Sequence, residues 1–125
     1  KLGKKVIFTG AVLDEDLQQF YSAAQVYIGS GSAELQGLAV MEAMAHGLPV
    51  LAANAVALPE LVENGENGYL FELNPESLAE RILLISKDPE VLKAMGRNSL
   101  KRIQAHDKEL TAQAFLKLYQ SLLSA

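Results

Sequence analysis

Short apolar runs alternate with helix-length segments along this chain, and the alternation is the feature that most constrains its fold. The runs are rich in aliphatic and β-branched residues and end at glycine or turn residues, which predicts buried strands. Strands separated by helices favour parallel β-α-β units in a sheet covered on both faces. The predicted strands are 5–10, 25–28, 49–53 and 69–71, and the predicted helices are 14–24, 37–46, 58–62, 75–86, 89–105 and 109–123. We therefore expect a doubly wound α/β fold with a helical C-terminal extension.

Three local features refine this expectation. Asp14 is predicted to be the N-cap of the first helix, because a short acidic side chain there can accept from the first-turn amides. Gly47 is predicted to end the helix before it in the left-handed conformation. An apolar stripe on the last helix predicts ordinary core packing. The stripe consists of Leu110, Ala114, Leu118 and Leu122, with Phe115 beside it.

Composition excludes several classes of function. The chain has 125 residues, a formal net charge of −4 and no cysteine. An acidic chain lacks the basic surface typical of proteins that bind nucleic acid. Without cysteine, disulfides, thiolate zinc sites and thiol catalysis are excluded, which fits a cytoplasmic protein. We expect no cofactor and no metal, because the two histidines, His46 and His106, belong to no cluster of ligands.

A single carboxylate, Glu42, interrupts the apolar helix predicted between Gly37 and Gly47. An unpaired charge in an apolar environment costs several kcal/mol, or is neutralised by a pKa shift. Two interpretations follow from the residues. Either Glu42 faces water, or a polar partner lies opposite it.

The loop before this helix carries the features of a ligand site. Small residues at Gly29–Ser32 let the backbone approach a ligand closely, and the amides at a helix start favour phosphate. Glu34 and Glu42 on either side would accept hydrogen bonds from hydroxyl groups. Because ligands of parallel sheets bind at the carboxyl ends of the strands, this loop is well placed. The combination suggests a molecule with phosphates and hydroxyls, such as a sugar nucleotide.

The chain resembles the C-terminal half of GT-B glycosyltransferases of family 4, which are retaining enzymes with a nucleotide-sugar donor. The resemblance rests on Glu34-x7-Glu42, followed by Ala43-Met44-Ala45-x-Gly47-x-Pro49-Val50. Further segments stand in the family's order and spacing, at 8–10, 21–24, 58–62, 64–71 and 75–79.

The resemblance implies a role for each site residue. Glu42 would hold the ribose hydroxyls of the donor, and Glu34 would contact the transferred sugar. Main chain near Val12 would contact the base. Backbone amides at the helix start would bind the sugar and diphosphate, and these belong to Gln36, Gly37, Leu38 and Ala39.

The resemblance also sets expectations about the whole protein. Residues 1–125 correspond to a single partial donor domain, without its first β-α-β unit and without the N-terminal domain that binds the acceptor. We therefore expect the full-length protein to transfer a hexose to a lipid or a glycan, and this chain alone to be inactive. The order Gln36-Gly37-Leu38 is similar to members that glycosylate lipids, which would bring the full-length protein to the inner face of a membrane. In that family the last helix braces two domains, so its apolar stripe has a second interpretation as an uncovered interface.

One further departure and two alternatives complete the interpretation. Gly29-Ser30 stands where the family usually has proline before the serine, which loosens the donor loop. One alternative is a non-catalytic nucleotide-sugar-binding module of the same ancestry. The other is a flavodoxin-like or receiver domain, which would need acidic residues after the first strand. Thr9-Gly10-Ala11 provides none there.

Overall fold

The computed structural model describes residues 5–124. The strands are β1 (Tyr27–Gly29), β2 (Val50–Ala53) and β3 (Gly68–Phe71). The helices are α1 (Asp14–Ala23), α2 (Leu38–Ala45), α3 (Leu58–Leu61), α4 (Pro75–Ile85), α5 (Pro89–Ile103) and α6 (Lys108–Leu123). A short 3₁₀ turn, Gln104–His106, connects α5 to α6. The order confirms the predicted α/β fold with a helical C-terminal extension.

The sheet has three parallel strands in the order β1-β2-β3. Tyr27 pairs with Val50 at one end of the β1–β2 ladder, and Ala53 pairs with Phe71 at one end of the β2–β3 ladder. Every residue of β2 is buried, as expected for a central strand covered on both faces. The other buried residues of this core come from α2, α3, β3, α4 and α5, together with Val62, so the core lies around β2. Loops project from the carboxyl ends of β1 and β2, at one edge of this core.

Helix ends follow the expected local chemistry. Asn74, Asp88 and Asp107 each accept a hydrogen bond from a first-turn amide, and a proline opens α4 and α5. Gly47 has φ +72°, as predicted for the end of α2. A Cβ at Gly96 would lie 2.2 Å from the Gly47 carbonyl oxygen, so α5 contacts the end of α2 through backbone.

The prediction of a buried strand at residues 5–10 is wrong. These residues form no ladder with another strand, and Phe8 is 94% exposed. Among the described residues, β1 is paired along one edge only, with β2. An apolar run becomes a strand only where a neighbouring strand offers backbone hydrogen bonds. The pattern of residues within the run does not show whether such a strand lies beside it.

The prediction that Asp14 caps α1 is also wrong. Leu13 occupies the N-cap position with extended backbone angles, and it makes no side-chain cap. Asp14 is instead the first helical residue, followed by Glu15 and Asp16. Three carboxylates in the first turn stabilise the helix through its dipole rather than through a capping bond.

The apolar stripe of α6 does not pack in the core, contrary to the first interpretation. α6 has no buried residue; Leu118 is 51% exposed and Leu122 is 66% exposed. Helical spacing shows that a face is apolar, but it does not show what covers that face. Within residues 5–124, no helix is both long and apolar enough to cross a membrane.

Candidate functional site

The candidate site lies where β1 ends and the loop to α2 begins. A cavity of about 260 Å³ opens there, beside the start of α2. The loop residues Gly29, Ser30, Gly31 and Glu34 line it, together with Tyr27, Ile28, Gly37, Ala39, Val40 and Leu58. Its place at the carboxyl end of a parallel strand is the one predicted from the topology.

Gly37 is the N-cap of α2 and sets the direction in which the helix starts. Its φ is +70°, in the left-handed region that favours glycine. A Cβ at this position would lie 2.5 Å from Cδ1 of Leu61 and 3.2 Å from Cδ2 of Leu58. Both leucines are buried, so the core of α3 presses directly against the start of α2.

Glu34 is fixed by the turn that it precedes. Its Oε1 accepts a hydrogen bond from the Gly37 amide at 3.0 Å, and its carbonyl accepts from the Ala57 amide at 3.4 Å. A carboxylate at a helix N-terminus is also favoured by the helix dipole. The Gly37 amide, predicted to face a ligand, is therefore engaged by Glu34 in this structure.

Glu42 is an exposed side chain with a buried partner. Its Oε2 accepts a hydrogen bond from the Tyr21 hydroxyl at 3.1 Å. Tyr21, from α1, is 6% exposed. Burial raises the pKa of Tyr21 to about 12, and the hydrogen bond and charge of Glu42 contribute to this rise. Both sequence interpretations of Glu42 therefore hold, because it faces water and also has a polar partner.

The charges of both carboxylates act on Tyr27. It belongs to β1 and lines the cavity. Burial raises the pKa of its hydroxyl, and the negative charges of Glu34 and Glu42 raise it further. Glu34 lines the cavity with Tyr27, whereas Glu42 does not line it, although its charge also acts on Tyr27.

The other predicted site residues are distributed less compactly. Ala39 lines the cavity, and Glu42 lies three positions later on the same helix face. The Leu38 and Ala39 amides lie in the first turn, where the helix offers them no acceptor. Gln36 is exposed in the loop and does not line the cavity. Val12 lies in a separate cavity of about 530 Å³ between the 9–13 segment and α1, which shares no residue with the first.

Sequence reasoning missed three residues at this site. Tyr21 and Tyr27 were given no role, although an aromatic residue with a polar tip usually needs a partner when it is buried. Val56, after β2, has φ +47°, which is rare for a β-branched residue. The neighbouring Ala57 amide donates to Glu34, so this strained turn adjoins the site.

The chemistry that this arrangement offers is hydrogen bonding to hydroxyl groups. Each carboxylate has one oxygen engaged by a protein donor, and no hydrogen bond within residues 5–124 engages Oε2 of Glu34 or Oε1 of Glu42. None of the described residues that line the cavity is a lysine or an arginine. Within the described part of the chain, no group of three or more His, Asp or Glu side chains could hold a metal ion.

Comparisons with known proteins identify the family and the fold. The family model for glycosyl transferases group 1 matches residues 1–102. The alpha-monoglucosyldiacylglycerol synthase of Acholeplasma laidlawii is 29% identical over 98% of this chain and 31% of its own length. Sucrose-phosphate synthase from Thermosynechococcus elongatus has a similar structure, with a TM-score of 0.88 and 35% identity over 98% of this chain and 31% of that chain. The Anabaena protein HepE, solved in complex with UDP, has a TM-score of 0.83 and 28% identity over 99% of this chain and 34% of that chain.

The chain thus spans about a third of the length of these relatives. The matched family segment contains the cavity, both carboxylates and all three strands. The structural neighbours share the parallel sheet and the helices that surround it. The chain belongs to the glycosyl transferases group 1 family.

Proposed function

We propose that this chain is the donor-binding part of a retaining glycosyltransferase that transfers a hexose from a nucleotide sugar. The observation that carries the proposal is the placement of Glu34 and Glu42. Each carboxylate is held through one oxygen and leaves the other oxygen for a ligand, and the charges of both raise the pKa of Tyr27. Family membership and the UDP complex of HepE support a nucleotide-sugar ligand.

In this proposal the two carboxylates recognise different hydroxyl groups. Glu42 would accept hydrogen bonds from the ribose, because it lies farther along the helix. Glu34 would accept from the sugar, because it lines the cavity beside the small residues of the loop. Carboxylates repel phosphate, so each would sit beside the diphosphate rather than on it.

The diphosphate would bind at the start of α2. The first-turn amides of Leu38 and Ala39 point out of the helix, and the dipole favours an anion there. Among the described residues, the cavity lining supplies no lysine or arginine to offset the diphosphate charge. We therefore infer that a cationic group from beyond this lining offsets that charge, and we propose that the chain alone does not catalyse transfer.

For the acceptor, we propose a lipid. The Acholeplasma relative is named for a glycolipid, and the Gln36-Gly37-Leu38 order is similar to members that glycosylate lipids. A separate N-terminal domain would bind this acceptor. A transfer assay with the full-length protein, a sugar nucleotide and vesicles containing diacylglycerol tests this, with a soluble glycan as the comparison. Transfer to the glycan alone would contradict the lipid assignment.

Nucleotide binding tests the central proposal. Thermal shift is measured with UDP, GDP and ADP on wild type, on Glu42→Ala and on a control, Glu80→Ala. Glu80 is an exposed carboxylate on α4, away from the cavity. A nucleotide at a hundred times its Kd adds about 2.7 kcal/mol of stability.

We expect one nucleotide to stabilise wild type and Glu80→Ala to the same extent, and to stabilise Glu42→Ala clearly less. A shift that survives Glu42→Ala unchanged would contradict the ribose role. Nucleotide binding without transfer in the full-length protein would instead support the non-catalytic binding module.

A further inference from the structure

A hydrogen bond between α1 and α2 fixes the orientation of Glu42. It joins the Tyr21 hydroxyl to Oε2 of Glu42 across 21 positions of sequence, at 3.1 Å. The Ala39 carbonyl lies 3.5 Å from the same hydroxyl, which has one proton to donate. The charged acceptor at the shorter distance is the stronger one, so the proton points at Glu42.

The ring of Tyr21 is itself held on two sides. It stacks on His46, with centroids 4.9 Å apart and planes 26° from parallel. It also tilts against Tyr27, with centroids 6.1 Å apart. The His46 ring lies 2.9 Å from the Glu42 carbonyl through Nδ1 and 2.8 Å from Oε1 of Gln18 through Nε2. These contacts dock α1 onto the part of α2 that carries Glu42.

We propose that Tyr21 is a positioning residue that orients the Glu42 carboxylate toward the ribose hydroxyls of a nucleoside diphosphate. The inference rests on the proposed function, in which Glu42 binds the ribose. Tyr21 touches no ligand in this scheme. Its hydroxyl engages Oε2 of this exposed side chain, which would leave Oε1 for the ribose.

The protonation of Tyr21 suits this task. Burial and the neighbouring carboxylate raise its pKa to about 12, so the hydroxyl keeps its proton at neutral pH. An exposed glutamate without such a donor would rotate among several side-chain conformations. The hydrogen bond selects one of them before any ligand arrives.

If Tyr21 positions Glu42, it affects how strongly the protein prefers a ribose over a sugar that lacks the 2′ and 3′ hydroxyls. The test is to measure Kd for UDP and for 2′,3′-dideoxy-UDP by calorimetry on the full-length protein. The variants are Tyr21→Phe, Glu42→Gln, the double variant and Tyr69→Phe. Tyr69 is a matched control, because it is a partly buried tyrosine on β3 outside the cavity.

Wild type and Tyr69→Phe should prefer UDP over the dideoxy nucleotide. Tyr21→Phe should lower this preference roughly tenfold, the worth of one hydrogen bond to a charged group. Its affinity for dideoxy-UDP should not change, which also shows that the variant is folded. In the Glu42→Gln background, Tyr21→Phe should have no further effect on the preference.

The outcomes distinguish the ribose-binding role of Glu42 from the positioning role of Tyr21. If wild type shows no preference for the ribose hydroxyls, the ribose role of Glu42 fails, and the positioning role fails with it. If wild type shows the preference and Tyr21→Phe retains it, only the positioning role is overturned. Equal weakening of both nucleotides in Tyr21→Phe would show a merely structural role and would also overturn the proposal.

Discussion

Replacing Gly37 with alanine tests whether the start of α2 is set by steric contact with the core. Two costs add at this position. A non-glycine residue at φ +70° loses roughly 1–2 kcal/mol. The new Cβ would lie 2.5 Å from Cδ1 of the buried Leu61, and overpacking of this kind costs about 1–3 kcal/mol. We therefore expect Gly37→Ala to lower the free energy of unfolding by about 3 kcal/mol.

Gly65→Ala is the matched control for the backbone cost. Gly65 has φ +83°, but a Cβ there would meet nothing within 4 Å. This variant should lose only about 1 kcal/mol, since it carries the left-handed cost without the contact. The difference between the two variants measures the steric part alone.

Thermal and urea unfolding of both variants provide the measurement. About 3 kcal/mol corresponds to a Tm lowered by roughly 10 °C in a domain of this size, against about 4 °C for the control. Adding Leu61→Val to Gly37→Ala should recover part of the loss, because it removes the methyl group that the new Cβ meets. Equal losses in Gly37→Ala and Gly65→Ala would refute the argument that α3 fixes the start of α2.

Three further predictions concern stability. Leu118→Ala on α6 should change the unfolding free energy by less than about 0.5 kcal/mol, whereas Leu51→Ala in β2 should cost about 2–5 kcal/mol; urea unfolding distinguishes them. Val56→Gly should stabilise the chain by about 1 kcal/mol in the same assay, because it relieves positive φ at a β-branched residue. The raised pKa of Tyr21 stabilises the fold fully below pH 10, and this contribution is lost as the pH rises toward 12. The free energy of unfolding of Tyr21→Phe should therefore fall less than that of wild type between about pH 9 and about pH 11.

The sequence predicted most elements, because their signals are local. Asn74 followed by Pro75 begins a helix, and Gly47 ends one, whatever the rest of the chain does. The apolar run that became β2 was recognisable because a buried central strand has no polar face. Most of the helices and strands could therefore be predicted from local chemistry.

Two of the three errors share one physical cause, since both depended on a partner that the pattern does not contain, whereas the Asp14 error displaced the start of α1 by one residue. The 5–10 run needs a neighbouring strand, and the α6 stripe needs a covering surface. The candidate site could likewise be predicted only in part. The spacing of Glu34 and Glu42 was visible in the sequence, but no local rule connects Glu42 with Tyr21, 21 positions earlier.

The two carboxylates at the site are each held by one hydrogen bond, but the donors differ. Glu34 is held by an amide of its own turn, and Glu42 by a side chain from another helix. A flexible glutamate that becomes ordered on binding costs about 0.5–1.5 kcal/mol each time. Here that ordering is completed when the chain folds, because the donors are already in place. If the two carboxylates bind the donor as proposed, the cost falls on folding rather than on binding, and a ligand rich in hydroxyl groups would meet two acceptors whose directions are already set.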